Sequence, residues 1–190
     1  MTQPTVTFNQ PHTDIELDYD AIVVGAGIAG LYQLYKLRAI GMKVRLFEAG
    51  TGVGGTWYWN RYPGARFDSE SYSYAYSFSQ ELLDEWDWSE HFASQPEILR
   101  YLQHVADKFD LIKDIQFSSD VQSALYDDNT RSWEIRLQDG SCYRSRFLIT
   151  GIGLLSQPVL PKIKGIESFK GEAFHTSRWP HTPVRLVGKR

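Results

Sequence analysis

Three glycines near the start of the chain have the spacing of a phosphate-binding turn. Gly25, Gly27 and Gly30 follow the apolar run 21–24, and leucines then recur at helical spacing. In such a turn the first glycine allows a tight bend, the second lets a pyrophosphate approach the backbone, and the third lets the helix pack closely on the strand. The free N–H groups of the helix N-terminus also favour phosphate. This pattern predicts a dinucleotide site.

An acidic residue completes this β-α-β pattern. The helix is expected to end at Gly41, and a second apolar strand, 44–47, stops at Glu48. A carboxylate about 20 positions after the glycine turn accepts hydrogen bonds from ribose hydroxyls and disfavours a ribose that carries a 2′-phosphate. The alternative is a chance glycine-rich turn between strand and helix.

The loop that follows the second strand is rich in glycine and aromatic residues. Gly54 and Gly55 permit a close backbone approach to a ligand, and Trp57, Trp59 and Tyr62 offer flat apolar faces. Directly after a dinucleotide-binding β-α-β unit, such a loop is where the isoalloxazine ring of a flavin would lie.

Two further groups of residues carry charge or titrate. Arg66 and Asp68 place opposite charges two positions apart in an aromatic setting, and the plain alternative is an ion pair that only fixes the loop. His175 is a candidate proton carrier, and the plainer alternative is a structural hydrogen-bonding residue. Trp179 and Pro180 form a rigid apolar corner.

The surrounding pattern predicts an α/β fold: a Rossmann-like parallel sheet with an inserted β-meander. The meander is expected over 121–126, 132–137 and 141–144, followed by a separate apolar strand over 147–150. A short helix is expected within 79–88. A longer one begins after Ser94, with Glu97 closing a capping box, and runs to about Phe109.

Composition narrows the possible partners and compartment. The formal net charge of −3 gives no basic field, so a nucleic acid is not expected as a partner. The single cysteine, Cys142, excludes an internal disulfide and fits a reducing cytoplasm. The first 19 residues lack the apolar core of a signal peptide, and no run is long enough for a membrane span. No metal-binding cluster is evident.

Two long motifs resemble those of the Baeyer–Villiger monooxygenases. Residues 169–180 fit the family fingerprint F-x-G-x-x-x-H-x-x-x-W-[PD], and residues 54–68 fit a second signature, [AG]-G-x-W-x-x-x-x-[FY]-P-[GM]-x-x-x-D. Together with the first G-x-G-x-x-G, the resemblance covers about residues 20–190. It is strongest to the cyclohexanone and phenylacetone monooxygenase branch.

The resemblance implies an enzyme that uses FAD and NADPH to insert one oxygen atom of O2 into a small-molecule ketone, giving an ester or lactone. Asp68 would be the catalytic residue, acting by positioning an arginine. His175 and Trp179 would lie in a linker that couples two nucleotide domains. The expected cofactor-binding residues are Gly25, Gly27, Ala29, Gly30, Glu48, Gly55, Thr56, Trp57, Trp59, Arg66, Phe67, Asp68, Tyr74 and Val121.

The sequence also departs from the family pattern. Phe67 stands where many relatives have cysteine, and residues 151–153 read Gly-Ile-Gly where A-[ST]-G is usual. The second G-x-G-x-x-G, which binds NADPH, would follow residue 190. We therefore expect an irregular arm over 1–19, the N-terminal part of an FAD domain over 20–168, and a linker over 169–190 leading to an absent NADP domain. The chain is then a fragment, inactive by itself.

Three alternatives to this enzyme remain. One is a flavin monooxygenase that oxygenates nitrogen or sulfur, and the tryptophan–proline ending together with Asp68 disfavours it. A disulfide reductase is disfavoured because a redox cysteine pair is missing. The third is a catalytically inactive nucleotide-binding fragment.

Overall fold

The computed structural model describes residues 15–189. Residues 1–14 of the predicted N-terminal arm lie outside the described residues. Residues 15–18 have no regular structure, and the first strand begins at Tyr19.

Eleven helices and strands make up the regular part of residues 15–189. In chain order they are β1 Tyr19–Val24, α1 Ile28–Ala39, β2 Val44–Phe47, α2 Thr56–Trp59, α3 Ser71–Tyr74, α4 Gln80–Glu85, α5 Gln95–Lys108, β3 Ile115–Gln116, β4 Val121–Asp127, β5 Ser132–Leu137 and β6 Cys142–Thr150. Three short 3₁₀ turns occupy Ile112–Asp114, Ile166–Ser168 and Thr176–Arg178.

The six strands form one mixed sheet in the order β3-β2-β1-β6-β5-β4. Strands β3, β2, β1 and β6 run parallel, whereas β4, β5 and the first half of β6 form an antiparallel meander. Ala21 in β1 is flanked by Val44 on one side and Phe147 on the other. The predicted α/β class, with a parallel Rossmann-like sheet and an inserted meander, is confirmed.

The last meander strand and the apolar strand after it are one continuous strand, so their separation in the sequence interpretation is wrong. Ser145 pairs antiparallel with Trp133 and parallel with Tyr19, which joins the two halves of the sheet. Residues 144–146 read Arg-Ser-Arg and hold no glycine, proline or asparagine to turn the chain. The small Ser145 side chain is fully buried at the junction.

The apolar residues of β1 alternate between two cores. Ala21 and Val23 face α1 and α5 on one side of the sheet, together with Leu31 and Leu34 of α1. Ile22 faces the other side, where it packs in a smaller cluster with residues of the meander. This alternation is the period of two that a strand buried on both faces requires.

The predicted helix around residues 95–109 is confirmed, but its predicted capping box is wrong. The Ser94 side chain makes no cap hydrogen bond. The buried Glu97 carboxylate instead accepts from the Ser89 backbone N–H at 2.8 Å and from the Ser89 hydroxyl at 2.7 Å. The loop before the helix folds back over its first turn and supplies these donors.

Gly30 is the position where helix α1 depends most on the absence of a side chain. A Cβ there would lie 1.8 Å from the Gly25 carbonyl oxygen, a backbone atom that cannot step aside. The glycine therefore sets the distance between α1 and the end of β1.

We predict that Gly30→Ala lowers the free energy of unfolding by about 2–3 kcal/mol, because overpacking forces the backbone to move. Urea unfolding followed by circular dichroism measures the change. Gly52→Ala is the matched control, since its Cβ would meet only two Tyr58 ring carbons, at 3.4 and 3.6 Å. Equal unfolding midpoints for the two variants would contradict the predicted role of Gly30.

Candidate nucleotide-binding site

A cleft of about 960 Å³ lies at the carboxyl ends of three parallel strands. Val24 of β1, Phe47 of β2 and Thr150 of β6 all line it. Strands β2 and β6 lie on opposite sides of β1, so the chain reverses its direction across the sheet at this point. Such a reversal opens the crevice in which α/β sheets bind ligands.

The glycine turn forms the floor of the cleft. Gly25 has a positive φ of 97°, and its N–H donates to the Phe47 carbonyl oxygen at 2.8 Å. Gly27 follows as the N-cap of α1 and has no side chain between the helix terminus and the cleft. The turn therefore exposes backbone of the kind that phosphate groups approach.

The aromatic loop lies directly against the glycine turn. A Cβ on Gly55 would stand 2.7 Å from the Gly27 Cα, and Gly55 has a positive φ of 52°. The Gly54 N–H also donates to the Ala26 carbonyl oxygen at 2.9 Å. This contact between two backbones explains why glycine is needed at position 55.

Glu48 links the glycine turn to the loop that follows β2. Its side chain is only 4% exposed, and its two oxygens accept from the Ala26 N–H at 2.6 Å and the Gly50 N–H at 2.7 Å. The residue also lines the cleft. The carboxylate thus satisfies two backbone donors of the chain itself, and its binding of ribose stays a prediction.

An aromatic wall stands at the other side of the loop. Trp57, Trp59 and Tyr74 line the cleft, and the Trp57 indole N–H donates to the Tyr74 hydroxyl at 2.8 Å. Burial raises the pKa of Tyr74, although its hydrogen bond with Trp57 acts in the opposite direction. The phenol therefore stays neutral at physiological pH, and the wall offers flat and largely apolar surfaces.

Phe67 packs behind the wall and does not line the cleft. Its ring centroid is 3.9 Å from that of Tyr74 and 5.9 Å from that of Trp57. It holds the two rings in place from the protein side.

The predicted alternative for Arg66 and Asp68, a mutual ion pair, is wrong. Arg66 donates instead to the Glu90 carboxylate and to the Phe92 carbonyl oxygen, each at 2.6 Å. Asp68 is exposed and makes no hydrogen bond within residues 15–189. The chain bends at 68–69 and carries Asp68 away from Arg66.

Ten of the residues expected to bind a cofactor line the cleft. They are Gly25, Gly27, Ala29, Glu48, Gly55, Thr56, Trp57, Trp59, Tyr74 and Val121. Gly30 lies within α1 and packs against the Gly25 carbonyl oxygen, and Arg66, Phe67 and Asp68 lie outside the cleft lining.

Sequence reasoning missed several residues that line the same cleft. They are Asn60, Ser118, Ser119, Asp120, Gln138, Asp139, Gln157 and Arg178. Asp120 precedes β4 and Asp139 lies in the β5–β6 turn, so the inserted meander supplies one end of the cleft. The only signal for them is topological, since residues next to the ends of neighbouring strands meet at one edge of the sheet.

His175 has a structural hydrogen-bonding role in the chain. Its Nδ1 accepts from the Ser177 N–H at 3.2 Å and lies 2.8 Å from the Ser177 hydroxyl. The imidazole thereby caps the 3₁₀ turn Thr176–Arg178, and Ser177 is buried beneath it. Next to this turn, the Trp179 ring packs against Phe174 with 5.3 Å between centroids.

The fold and the cleft together define a Rossmann-like nucleotide-binding domain. The family model for an NAD(P)-binding Rossmann-like domain matches residues 23–86, which span the glycine turn, Glu48 and the aromatic wall.

The chain is similar in sequence to several curated monooxygenases. It is 53% identical over 161 residues to 2-oxo-Δ3-4,5,5-trimethylcyclopentenylacetyl-CoA monooxygenase of Pseudomonas putida, covering 85% of this chain and 30% of that protein. It is 47% identical to a Baeyer–Villiger monooxygenase of Pseudooceanicola batsensis, with 91% and 32% covered. It is also 47% identical to phenazine N-monooxygenase of Lysobacter antibioticus, with 90% and 32% covered.

A solved structure agrees in fold. The chain superposes on the OTEMO complex with FAD and NADP with a TM-score of 0.83 and 51% identity, covering 87% of this chain and 31% of that one. The chain's homologues and structural neighbours are thus Baeyer–Villiger and related flavoprotein monooxygenases, and the resemblance read from its motifs is confirmed. The chain spans about a third of the length of the curated relatives it matches.

None of the helices within residues 15–189 is long and apolar enough to cross a membrane.

We predict that Glu48→Gln lowers the free energy of unfolding by about 1–3 kcal/mol without any ligand, because the amide NH2 cannot accept from a backbone N–H. Chemical denaturation of the unliganded chain measures the effect. Glu167→Gln is the control, since Glu167 is an exposed carboxylate with no hydrogen-bond acceptor role in the described part of the chain. A Glu48→Gln chain as stable as the control would show that these two contacts contribute little.

Proposed function

We propose that this chain is the FAD-binding part of a Baeyer–Villiger type monooxygenase that uses NADPH and O2 to convert a small-molecule ketone into an ester or lactone. One observation carries the proposal: a glycine-floored cleft at the switch point of a parallel sheet lies beside a wall of three aromatic side chains. The domain boundaries fit this role, with residues 20–168 as the nucleotide domain and 169–190 as a linker.

The residues of the cleft fit an FAD molecule along its length. The turn at Gly25 and Gly27 would hold the pyrophosphate, because Gly27 leaves the backbone beside the α1 N-terminus uncovered. Glu48 lies where ribose hydroxyls would be, and Val121 at the meander end where the adenine would be. The aromatic wall would take the isoalloxazine ring.

FAD and NADPH together would supply the redox chemistry that delivers an oxygen atom from O2. The chain's own residues then bind, orient and shield. The buried Trp57 excludes water from one side of the ring position, and its hydrogen bond to Tyr74 keeps the wall rigid.

Asp68 is the proposed catalytic residue, although it is outside the cleft lining. Its carboxylate is exposed and forms no ion pair within residues 15–189. It is therefore free to position a cationic side chain of another part of the protein, as the family resemblance implies.

Oxygenation of nitrogen is the second candidate function. The observation in its favour is the 47% identity to a phenazine N-monooxygenase over 90% of this chain. A purified full-length protein that oxidises an N-heterocycle and leaves cyclic ketones unchanged would favour it. The third candidate, an inactive nucleotide-binding fragment, would bind FAD without any turnover of NADPH.

A reducing cytoplasm is the proposed location, because Cys142, the one cysteine in the sequence, is a free thiol and no disulfide constrains the fold.

We predict that the 190-residue chain binds FAD weakly and that Gly27→Ala reduces its affinity at least tenfold, roughly the effect of losing 1.4 kcal/mol. An alanine Cβ at position 27 would lie 3.4 Å from the Gly55 Cα, so the fold accommodates it while the phosphate approach is filled. Flavin fluorescence titration measures affinity, and Gly52→Ala is the control. Unaltered FAD affinity in a folded Gly27→Ala chain would place the flavin nucleotide elsewhere.

We predict that the 190-residue chain alone shows no ketone-dependent consumption of NADPH, because the proposal assigns it the FAD site and not the NADPH site, and because it spans about a third of its relatives' length. NADPH absorbance with added FAD and cyclohexanone tests this. Measurable ketone-dependent oxidation of NADPH that is lost on heat denaturation would contradict the proposal that this chain is only the FAD-binding part of the enzyme.

In a protein that carries this sequence within the full length of its relatives, we predict that Asp68→Ala reduces oxygenation at least about 100-fold while FAD stays bound. The magnitude is typical for the loss of a group that stabilises charge in the transition state. Ester formation and the flavin absorption spectrum are the two measurements. Unchanged turnover would exclude Asp68 from the chemistry.

A further inference from the structure

Arg178 brings the fingerprint segment into the cleft. Its guanidinium carbon is 4.7 Å from the centroid of the Trp59 ring, and its Nη2 donates to the Ser156 carbonyl oxygen at 3.1 Å. Trp59, Ser156 and Arg178 all line the cleft. The arginine therefore connects the aromatic wall to the segment that follows β6.

Arg178 is fixed in position by the short 3₁₀ turn that contains it. It is the last residue of the 3₁₀ turn that His175 caps, and the neighbouring Ser177 is buried. A second contact, 2.8 Å between an Arg61 guanidinium nitrogen and His181 Nδ1, holds the same segment against α2. The segment thus has an attachment near α2 that is independent of Arg178.

The charge of Arg178 has no carboxylate partner within residues 15–189. Its guanidinium donates only to the carbonyl oxygens of Ser156 and Ser177, and otherwise lies over the Trp59 ring. A surface arginine usually pairs with an acidic neighbour or extends into water. The contacts of Arg178 instead join the Trp59 ring to the Ser156 carbonyl oxygen.

We propose that Arg178 is a positioning residue for the flavin end of the cleft: it bridges Trp59 and Ser156 and so sets the aromatic wall before the ligand enters. This inference rests on the proposed binding of FAD. A guanidinium can stack its flat face on an indole while it donates in its own plane, whereas a lysine ammonium cannot do both. The planar shape of the guanidinium, and not its charge alone, therefore makes the bridge between Trp59 and Ser156 possible.

The test compares FAD with ADP, which lacks the isoalloxazine ring. Arg178→Met keeps the apolar stem and removes the planar cation, and Arg178→Lys keeps the charge. Arg185→Gln is the matched control, because it removes the same charge from an exposed position of the same segment. Calorimetric titration of the full 190-residue chain gives both affinities, and thermal unfolding of the unliganded chain monitors the fold.

We expect Arg178→Met and Arg178→Lys each to weaken FAD binding roughly 5- to 30-fold, the effect of losing one cation–π contact and one hydrogen bond. ADP affinity and the unfolding temperature should stay at their wild-type values, as should every measurement on Arg185→Gln. That split between FAD and ADP is one that a merely structural residue would not produce.

Three results would overturn the inference. The first is wild-type FAD affinity in Arg178→Met, and the second is full recovery of FAD affinity in Arg178→Lys. The third is an equal loss of FAD and ADP binding. A folded wild-type chain that binds ADP but no FAD would instead refute the proposed function, and this inference with it.

Discussion

The site depends on one close approach, in which the backbone of the glycine turn touches the backbone of the loop after β2. Gly55 packs against Gly27 with no room for a side chain on Gly55, and the Glu48 carboxylate satisfies backbone donors from both segments. Without this contact the aromatic wall would have no fixed distance from the α1 N-terminus. The glycine-turn floor and the aromatic wall of the cleft are therefore one structural unit, which the buried Glu48 carboxylate holds together.

Most of the fold could be predicted from local patterns. The glycine turn, the two strands around it and the helix after Ser94 are set by apolar periodicity and by turn residues that act within a few positions. The continuity of β6 and the partner of Glu97 could not be predicted in this way. They depend on which segments fold back next to them, as Ser145 shows by pairing with strands from both halves of the sheet.

The residues of the candidate site likewise fall into those that spacing in the sequence predicts and those that only the fold brings together. Most of the residues predicted from the spacing of the glycine turn and the aromatic loop line the cleft, whereas Gly30, Arg66, Phe67 and Asp68 do not. Asp120, Asp139 and Arg178 reach it only through the topology of the sheet and the docking of a distant turn. Arg66 shows that spacing in the sequence does not predict an ion-pair partner. The chain bends after it, so Arg66 pairs with Glu90 and not with Asp68.

The chain is equally similar to relatives that are named for two different reactions, which bears on the role of this part of the protein. A Baeyer–Villiger monooxygenase and a phenazine N-monooxygenase are each 47% identical to the chain. Such equal similarity is expected if this region holds the cofactor that both reactions share. Under the proposed function, the choice between oxygenating a ketone and oxygenating a nitrogen then depends on side chains that face the substrate, outside the glycine turn and the aromatic wall. Under the proposed function, the cleft sets where the flavin lies, and parts of the protein outside the cleft determine which substrate is oxygenated.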